Sequence, residues 1–539
     1  MSKRRSTGRA AAAPPVSAGP ETRAPTMPLP PALLIAAAFL AGAAVMLLEL
    51  AGNRILAPWF GNTLYTWTGL IGVVLVSLSC GYYLGGYAAD RRPQAAMLGH
   101  LLAAAGGLTM LVPLLQRTVA AWMRTLDPVL GPVVAAAVLL AAPGALLAAV
   151  SPFAVRLLSL HSGDRQVGVS AGAVSMAGAL GSVLGTFAAG FLLIPHLDLR
   201  YLFLTSGGVL AASAATLYLF LTGAARSRAL AILLPAAIGL AAPTVLASRE
   251  RPPHVVYEQT TFYHRIRVIE LPNDQGSVAR YLFLDSTSEG GQYVPPTDGD
   301  LPLAYQCCWR LGPALVPDLH RAAFLGGGAF GMPEALLDAL PDAEADVLEI
   351  DPAVIAVGRR FFRLDQYPRL HPVAEDARRW LQNSQQSYDF IVGDAYHGVH
   401  SIPAHLTTAE FFELVKSRLS PQGVYAMNVV GALEGKKAAL LQAVARTLQQ
   451  VFAHVYVLAL DVNRPGDTQN VIFLAAGREL DVAGLAAEAR TVPGRSSPAL
   501  EQLLHGYVPW EQLRIPPGPV LRDDYNPIEY LAAQDPRPD

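Results

Sequence analysis

Between residues 32 and 247 the chain is written in long apolar blocks separated by short polar joints, at 32–53, 64–88, 96–116, 130–155, 168–194, 201–222 and 229–247. A helix needs about 20 apolar residues to cross a bilayer hydrocarbon core, so the pattern predicts seven membrane helices. The seventh block is short and holds Pro235 and Pro243; six spans with one interfacial helix is the competing count. After residue 255 the period shortens. YHRIRVIEL, and YLFLDS after the turn NDQG, carry the alternation and β-branching of strands and predict a small antiparallel β-region. From residue 321, RAAFLGGGAFGMPEALLDALPDAEADVLEID reads as strand, glycine turn, helix and strand, a βαβ unit. The expected fold class is a multi-pass α-helical membrane domain followed by an α/β Rossmann-like domain with a small N-terminal β-region. Its expected divisions are a disordered basic tail at 1–27, the membrane domain at 28–250, the β-region at 251–318 and the α/β domain at 319–539.

Charge sharpens this division. Of 539 residues 52% are hydrophobic and only 15% charged, against about 25% in an ordinary soluble domain. Residues 1–252 hold 17 Lys and Arg against 7 Asp and Glu, and residues 253–539 hold 23 against 35, so the net of −2 conceals +10 and −12. An acidic soluble half argues against nucleic acid as a partner, because that binding needs a dense basic face. The tail (Lys3, Arg4, Arg5, Arg9), Arg91 and Arg92, Arg156 and Arg165, and Arg226 and Arg228 fall on one face if the spans alternate, and arginine bias makes that face cytoplasmic. Arg54, Arg117, Arg124 and Arg200 fall on the other. Glu49 is a carboxylate within an apolar run, which is costly unless paired or turned to a polar cavity. Arg54 is its expected partner; the sharper alternative is a substrate or proton site.

The glycine turn, Gly326, Gly327, Gly328 and Gly331, lets backbone approach a ligand, and it lacks the lysine and hydroxyl of a triphosphate-binding loop. About 20 residues on, Glu349 and Asp351 stand where a carboxylate can bond the hydroxyls of a ribose. Asp376 and Asp394 end the third and fourth expected strands, where ligands of open α/β sheets bind. Asp376, an acceptor only, suits an adenine amino group, and Asp394 suits a group facing the reacting centre. The residues therefore favour a nucleoside without a long phosphate tail. His264, His397 and His400 show no regular ligand spacing, and no metal is expected. Cys307 and Cys308 read as buried thiols.

FLGGGAFG, VLEIDP, AEDAR, YDFIVGDAY, IPAHLTTAEFFELVKSRLSPQGVYAMNV and RDDYNPIEY, in this order, resemble the spermidine synthase-like domain of membrane-fused aminopropyltransferases. ELAGNRILAPWFGNTLYTWTGLIG, GYYLGGYAADRR and SAGAVSMAGALGSVLGTFAAGFLLIP are similar to the membrane part of these fusions, often labelled major-facilitator-like. The resemblance implies an α/β domain of the S-adenosylmethionine-dependent transferase type and decarboxylated S-adenosylmethionine as cosubstrate. Glu349 is then the ribose carboxylate, Asp376 the adenine-side acid and Asp394 the base that takes the amine proton, with Ala377, Pro403 and His264 on the cofactor side. Acceptor contacts are implied at Tyr305, Gln306, Tyr396 and His397. Here the sequence departs from the family. Ala329 and His397 replace two acids, Gln306 follows Tyr305 where a histidine is usual, and His264 follows Tyr263 where a glutamine is usual. Loss of two acids removes charge-assisted bonds of about 1.5–3 kcal/mol each, so putrescine should bind poorly.

The expected function is membrane-anchored aminopropyl transfer to an amine in polyamine biosynthesis. A methyltransferase using intact S-adenosylmethionine and a non-enzymatic transporter or polyamine or nucleoside sensor are the alternatives. The expected partners are a small amine or other nucleophile and the lipid bilayer, and a homo-oligomer is compatible with the sequence. The expected location is the cell (inner) membrane. Seven spans with arginine bias would set the soluble half outside, whereas its nucleoside is made in the cytosol; the cytoplasmic side is preferred on that ground.

Overall fold

The computed structural model describes residues 29–221 and 254–533, apart from 62, 124, 128, 163–165, 262, 273–276, 298–299, 397–401, 492–497 and 514, together with positions 232, 235 and 237. The tail 1–27, the seventh block 229–247 as a span, and His397 and His400 lie outside the described residues.

Six helices among the described residues are long and apolar enough to cross a membrane. They are α1 (Pro31–Phe60), α2 (Leu64–Arg91), α3 (Ala95–Met123), α4 (Gly131–Ser162), α5 (Val167–Phe187) and α6 (Leu199–Leu219), with a π-helical turn, Ala188–Leu193, prolonging α5. Apolar residues surround each helix rather than forming one stripe: Leu75, Val76 and Leu84 of α2 are exposed while Leu70, Val73 and Val74 are buried. α5 lies along α1. A Cβ at Gly181 would stand 2.0 Å from the Phe39 carbonyl oxygen, so only glycine permits this approach. Gly190 has nothing within 4 Å and does not share that role.

The expected Glu49–Arg54 pair is not formed among the described residues. Residues five apart on a helix point to different sides, since only i+3 and i+4 neighbours meet. Arg54 instead reaches the C-terminal half, donating to the carbonyls of Tyr263 (2.7 Å) and Thr261 (3.3 Å). Ser286 Oγ donates to the Pro58 carbonyl at 2.6 Å, and Glu529 accepts the Leu64 N–H at 2.5 Å. The C-terminal half therefore packs where α1 ends and α2 begins.

The β-region is an antiparallel meander, β1 (Val255–Thr260), β2 (Arg265–Pro272), β3 (Val278–Leu284) and β4 (Thr287–Val294). Its inward residues Ile266, Val268, Leu282 and Leu284 join the core of the α/β domain. That domain holds β5 (Arg321–Leu325), β6 (Glu344–Leu348), β7 (Leu370–Val373), β8 (Tyr388–Gly393), β9 (Leu419–Gly431), β10 (His454–Ala459), β11 (Gln469–Ala476) and β12 (Tyr507–Val508). The sheet order is β12-β10-β11-β9-β8-β5-β6-β7, with β7 through β9 parallel and β11, β10 and β12 added antiparallel. β5, β6 and β7 step outward one way and β8 returns to the other side of β5. That reversal opens a crevice at the C-terminal ends of β5 and β8, the usual ligand position in such sheets.

Candidate active site

The crevice is a cleft of about 650 Å³, part of it open to solvent. After β5 the chain must turn sharply under β8. Gly326 takes φ +113°, and a Cβ there would sit 2.3 Å from the Asp394 carbonyl oxygen. The turn then enters α7 (Gly331–Ala339). Gly326, Gly327 and Gly328 line the cleft as expected. Gly331 does not; it backs onto β4, 3.0 Å from the Gly291 carbonyl oxygen by its would-be Cβ.

Glu349 follows β6 directly and is buried. Its Oε2 accepts the Gly327 N–H at 3.1 Å and its Oε1 the Asp351 N–H at 2.9 Å. Each oxygen keeps a lone pair for a ligand hydroxyl. Burial raises the carboxyl above its ordinary range, against those two bonds. Asp351 is not a ribose group: it caps α8 (Pro352–Phe361) through the Ala353 N–H at 2.9 Å, and its other oxygen accepts Thr261 Oγ1 at 2.5 Å. Asp376 caps α9 (Ala377–Asn383) through the Arg379 N–H and meets His405 Nε2 at 2.8 Å. The His405 bond holds its carboxyl below the ordinary range. Ala377, Pro403 and His264 also line the cleft, and His264 Nδ1 lies 3.2 Å from Asp285.

Asp394 directly follows β8 and lines the cleft. Burial pushes its pKa up to about 6, opposed by hydrogen bonds from Asn428 and Tyr305. Asn428 Nδ2 donates to Oδ1 at 2.8 Å, and Asn470 Nδ2 donates to the Asn428 oxygen at 3.0 Å, which fixes the amide's orientation. Tyr396 lines the cleft, its hydroxyl donating to the Asn428 carbonyl and accepting the Val430 N–H, each at 3.0 Å. Tyr305 is thus a partner of Asp394. Gln306 lies outside the cleft lining and accepts the Leu303 N–H at 3.3 Å.

The sequence reading missed two acids of the lining, Glu375, which directly precedes Asp376, and Glu289. Glu289 reaches the cleft from β4, whose backbone presses on the glycine turn: a Cβ at Gly328 would lie 2.3 Å from the Glu289 carbonyl oxygen. Its Oε1 is enclosed and has no hydrogen-bond partner among the described residues. Burial, then the charges of Asp394, Glu349 and Asp285, hold it protonated well above the ordinary carboxylate range. Asn428 and His405 were missed as well. A lone amide within the apolar run VYAMNV was a readable sign of the first; Glu289 had none, because only the packing of β4 on the turn brings it in. Cys307 and Cys308 are free buried thiols, as expected, and burial pushes the Cys307 pKa up to about 12.

Residues 315–476 match the family model of the spermine/spermidine synthase domain. The polyamine aminopropyltransferase of Vibrio vulnificus is 30% identical over 183 residues, 32% of this chain and 58% of that protein. A probable polyamine aminopropyl transferase of Bifidobacterium longum is 27% identical over 220 residues, 41% of this chain and 47% of that one. The chain thus spans about half the length of these relatives. A solved probable spermidine synthase from Corynebacterium glutamicum aligns with TM-score 0.38 and 20% identity, covering 45% of this chain and 88% of that one. The C-terminal part of the chain carries a spermidine synthase domain.

Proposed function

We propose that the protein is a membrane-anchored aminopropyltransferase that moves the aminopropyl group of decarboxylated S-adenosylmethionine to an amine. The observation that carries this reading is the charge of the cleft. Its described lining holds the carboxyls of Glu289, Glu349, Glu375, Asp376 and Asp394 and no Lys or Arg. Intact S-adenosylmethionine would bring a carboxylate into this surface, where like-charge juxtaposition costs several kcal/mol. The decarboxylated nucleoside brings only cations. Glu349 bonds the ribose, Asp376 the adenine amino group, and a nearby ammonium group returns Glu289 to its charged form.

In the proposed reaction Asp394 removes a proton from the acceptor amine. The nitrogen lone pair forms a bond to the aminopropyl carbon next to sulfur. The carbon–sulfur bond breaks with its electron pair going to sulfur, and methylthioadenosine leaves. A sulfonium leaves without metal assistance. Asp394, with a pKa of about 6, is ionised at neutral pH and remains basic enough to take the proton. Glu289 also restores part of the acidity missing at Ala329 and position 397, so a diamine acceptor remains within this reading.

The six long apolar helices support a membrane setting. The proposed side is cytosolic, where the nucleoside is made. Because residues 254–533 pack at the α1–α2 turn, this orientation turns Arg91, Arg92 and Arg156 outward, against the usual bias.

Binding of the two nucleosides to the full chain tests the reading. The decarboxylated form should bind more tightly, and Glu289→Gln should narrow the difference. Tighter binding of intact S-adenosylmethionine would favour methyl transfer instead.

A further inference from the structure

The contact between α1 and the soluble half does more than join two domains. Arg54 clamps the turn between β1 and β2 from below, through the Tyr263 and Thr261 carbonyls at 2.7 and 3.3 Å. Thr261 is buried, and its hydroxyl gathers the same turn, accepting the N–H groups of Tyr263 (3.1 Å) and His264 (3.0 Å) while donating to Asp351 Oδ2 at 2.5 Å. The Asp351 N–H in turn donates to Glu349 Oε1 at 2.9 Å. The turn therefore ends in His264, a wall of the cleft, and its anchor ends in the carboxylate assigned to the ribose. The Arg54 guanidinium also lies within electrostatic reach of Asp285 and Asp351, the acids that hold His264 and Thr261.

We propose that Arg54, a residue of the first apolar helix, is a positioning residue for the nucleoside site, acting through Thr261 and Asp351 on Glu349 and through the β1–β2 turn on His264. The proposal rests on the reading of the cleft as a nucleoside site. It gives the helical half a part in binding the cosubstrate: α1 completes the back of the site without touching the ligand. It also fixes what Arg54 cannot do. Lacking contact with the reacting atoms, it should alter nucleoside affinity and leave the proton-transfer step as it is.

The test is nucleoside affinity in the full chain in detergent, with decarboxylated S-adenosylmethionine as the probe, for wild type, Arg54→Ala, Arg54→Lys, Thr261→Val and the double variant Arg54→Ala/Thr261→Val. Substitutions along a coupling chain change affinity by roughly 2- to 30-fold. Arg54→Ala should therefore weaken the nucleoside about tenfold, with kcat at saturating nucleoside and its pH dependence unchanged. Arg54→Lys, which keeps the charge and one donor, should recover part of the loss. The double variant should bind little worse than Thr261→Val alone, because both changes break one chain. Wild-type affinity in Arg54→Ala, or losses that multiply in the double variant, would overturn the proposal. If Arg54→Ala does not fold, Thr261→Val decides: it removes only a hydroxyl, and unchanged affinity would refute the chain. A wild-type protein that fails to retain the nucleoside would remove the reading of the cleft itself, a different result from a wild type that binds and an Arg54 variant that binds equally.

Discussion

Asn428 should set the pH range in which the protein works. The base in the proposed reaction is Asp394, and only its ionised form accepts a proton. The Asn428 amide donates to that form at 2.8 Å, in a site where burial has already raised the carboxyl to about 6. A hydrogen bond to a charged group contributes about 1.5–3 kcal/mol, and 1.36 kcal/mol corresponds to one pKa unit. Asn428→Ala removes a bond made to the charged form, so the Asp394 pKa should rise, by roughly one to two units. The rising limb of kcat/KM against pH should move upward by that amount, with activity recovering above the new limb. The acceptor amine's own titration is common to both enzymes and cancels in the comparison. Asn470→Leu should move the limb the same way by less, because it frees the Asn428 amide to rotate without deleting it. A limb that stays in place in Asn428→Ala, or activity lost equally at all pH values, would refute this assignment of the base and its partner.

Other expectations follow from the same geometry. Asp394→Asn should abolish turnover yet retain the nucleoside in a binding assay, since the amide keeps the shape and loses the base; loss of binding alone would make the residue structural. Glu349→Ala and Asp376→Ala should each weaken nucleoside binding, with the Asp376 variant also losing about 1 kcal/mol of stability from the α9 cap, measured by thermal unfolding. Unchanged affinity in both would remove the ribose and adenine assignments. A reporter active only when exported, fused after Asp539, should stay silent if the soluble half is cytosolic, and a strong signal would reverse the orientation.

The sequence made the α/β core readable because a βα unit announces itself locally. A buried strand, a glycine turn and an acid at the next strand end lie within about 20 residues of one another, and so Gly326 to Gly328, Glu349, Asp376 and Asp394 all line the cleft. Most of what escaped was set by packing between distant segments. Glu289 enters because β4 lies on the glycine turn, and Asn428 because β9 pairs with β8. Asp351 was readable as a helix cap, since Asp followed by Pro opens α8, yet its closeness to Glu349 made it look like a second ribose group. Spacing alone suggested the Glu49–Arg54 pair, which helical geometry forbids and the Tyr263 and Thr261 carbonyls replace.

The central claim is the transfer of an aminopropyl group, and product identification tests it most directly. The purified full-length protein, given decarboxylated S-adenosylmethionine and a set of candidate amines, should release methylthioadenosine together with an amine heavier by one aminopropyl unit, detected by mass spectrometry, and Asp394→Asn should release neither. Intact S-adenosylmethionine should give no methylated product. A methylated acceptor from the intact nucleoside, with no aminopropyl product from the decarboxylated one, would contradict the account.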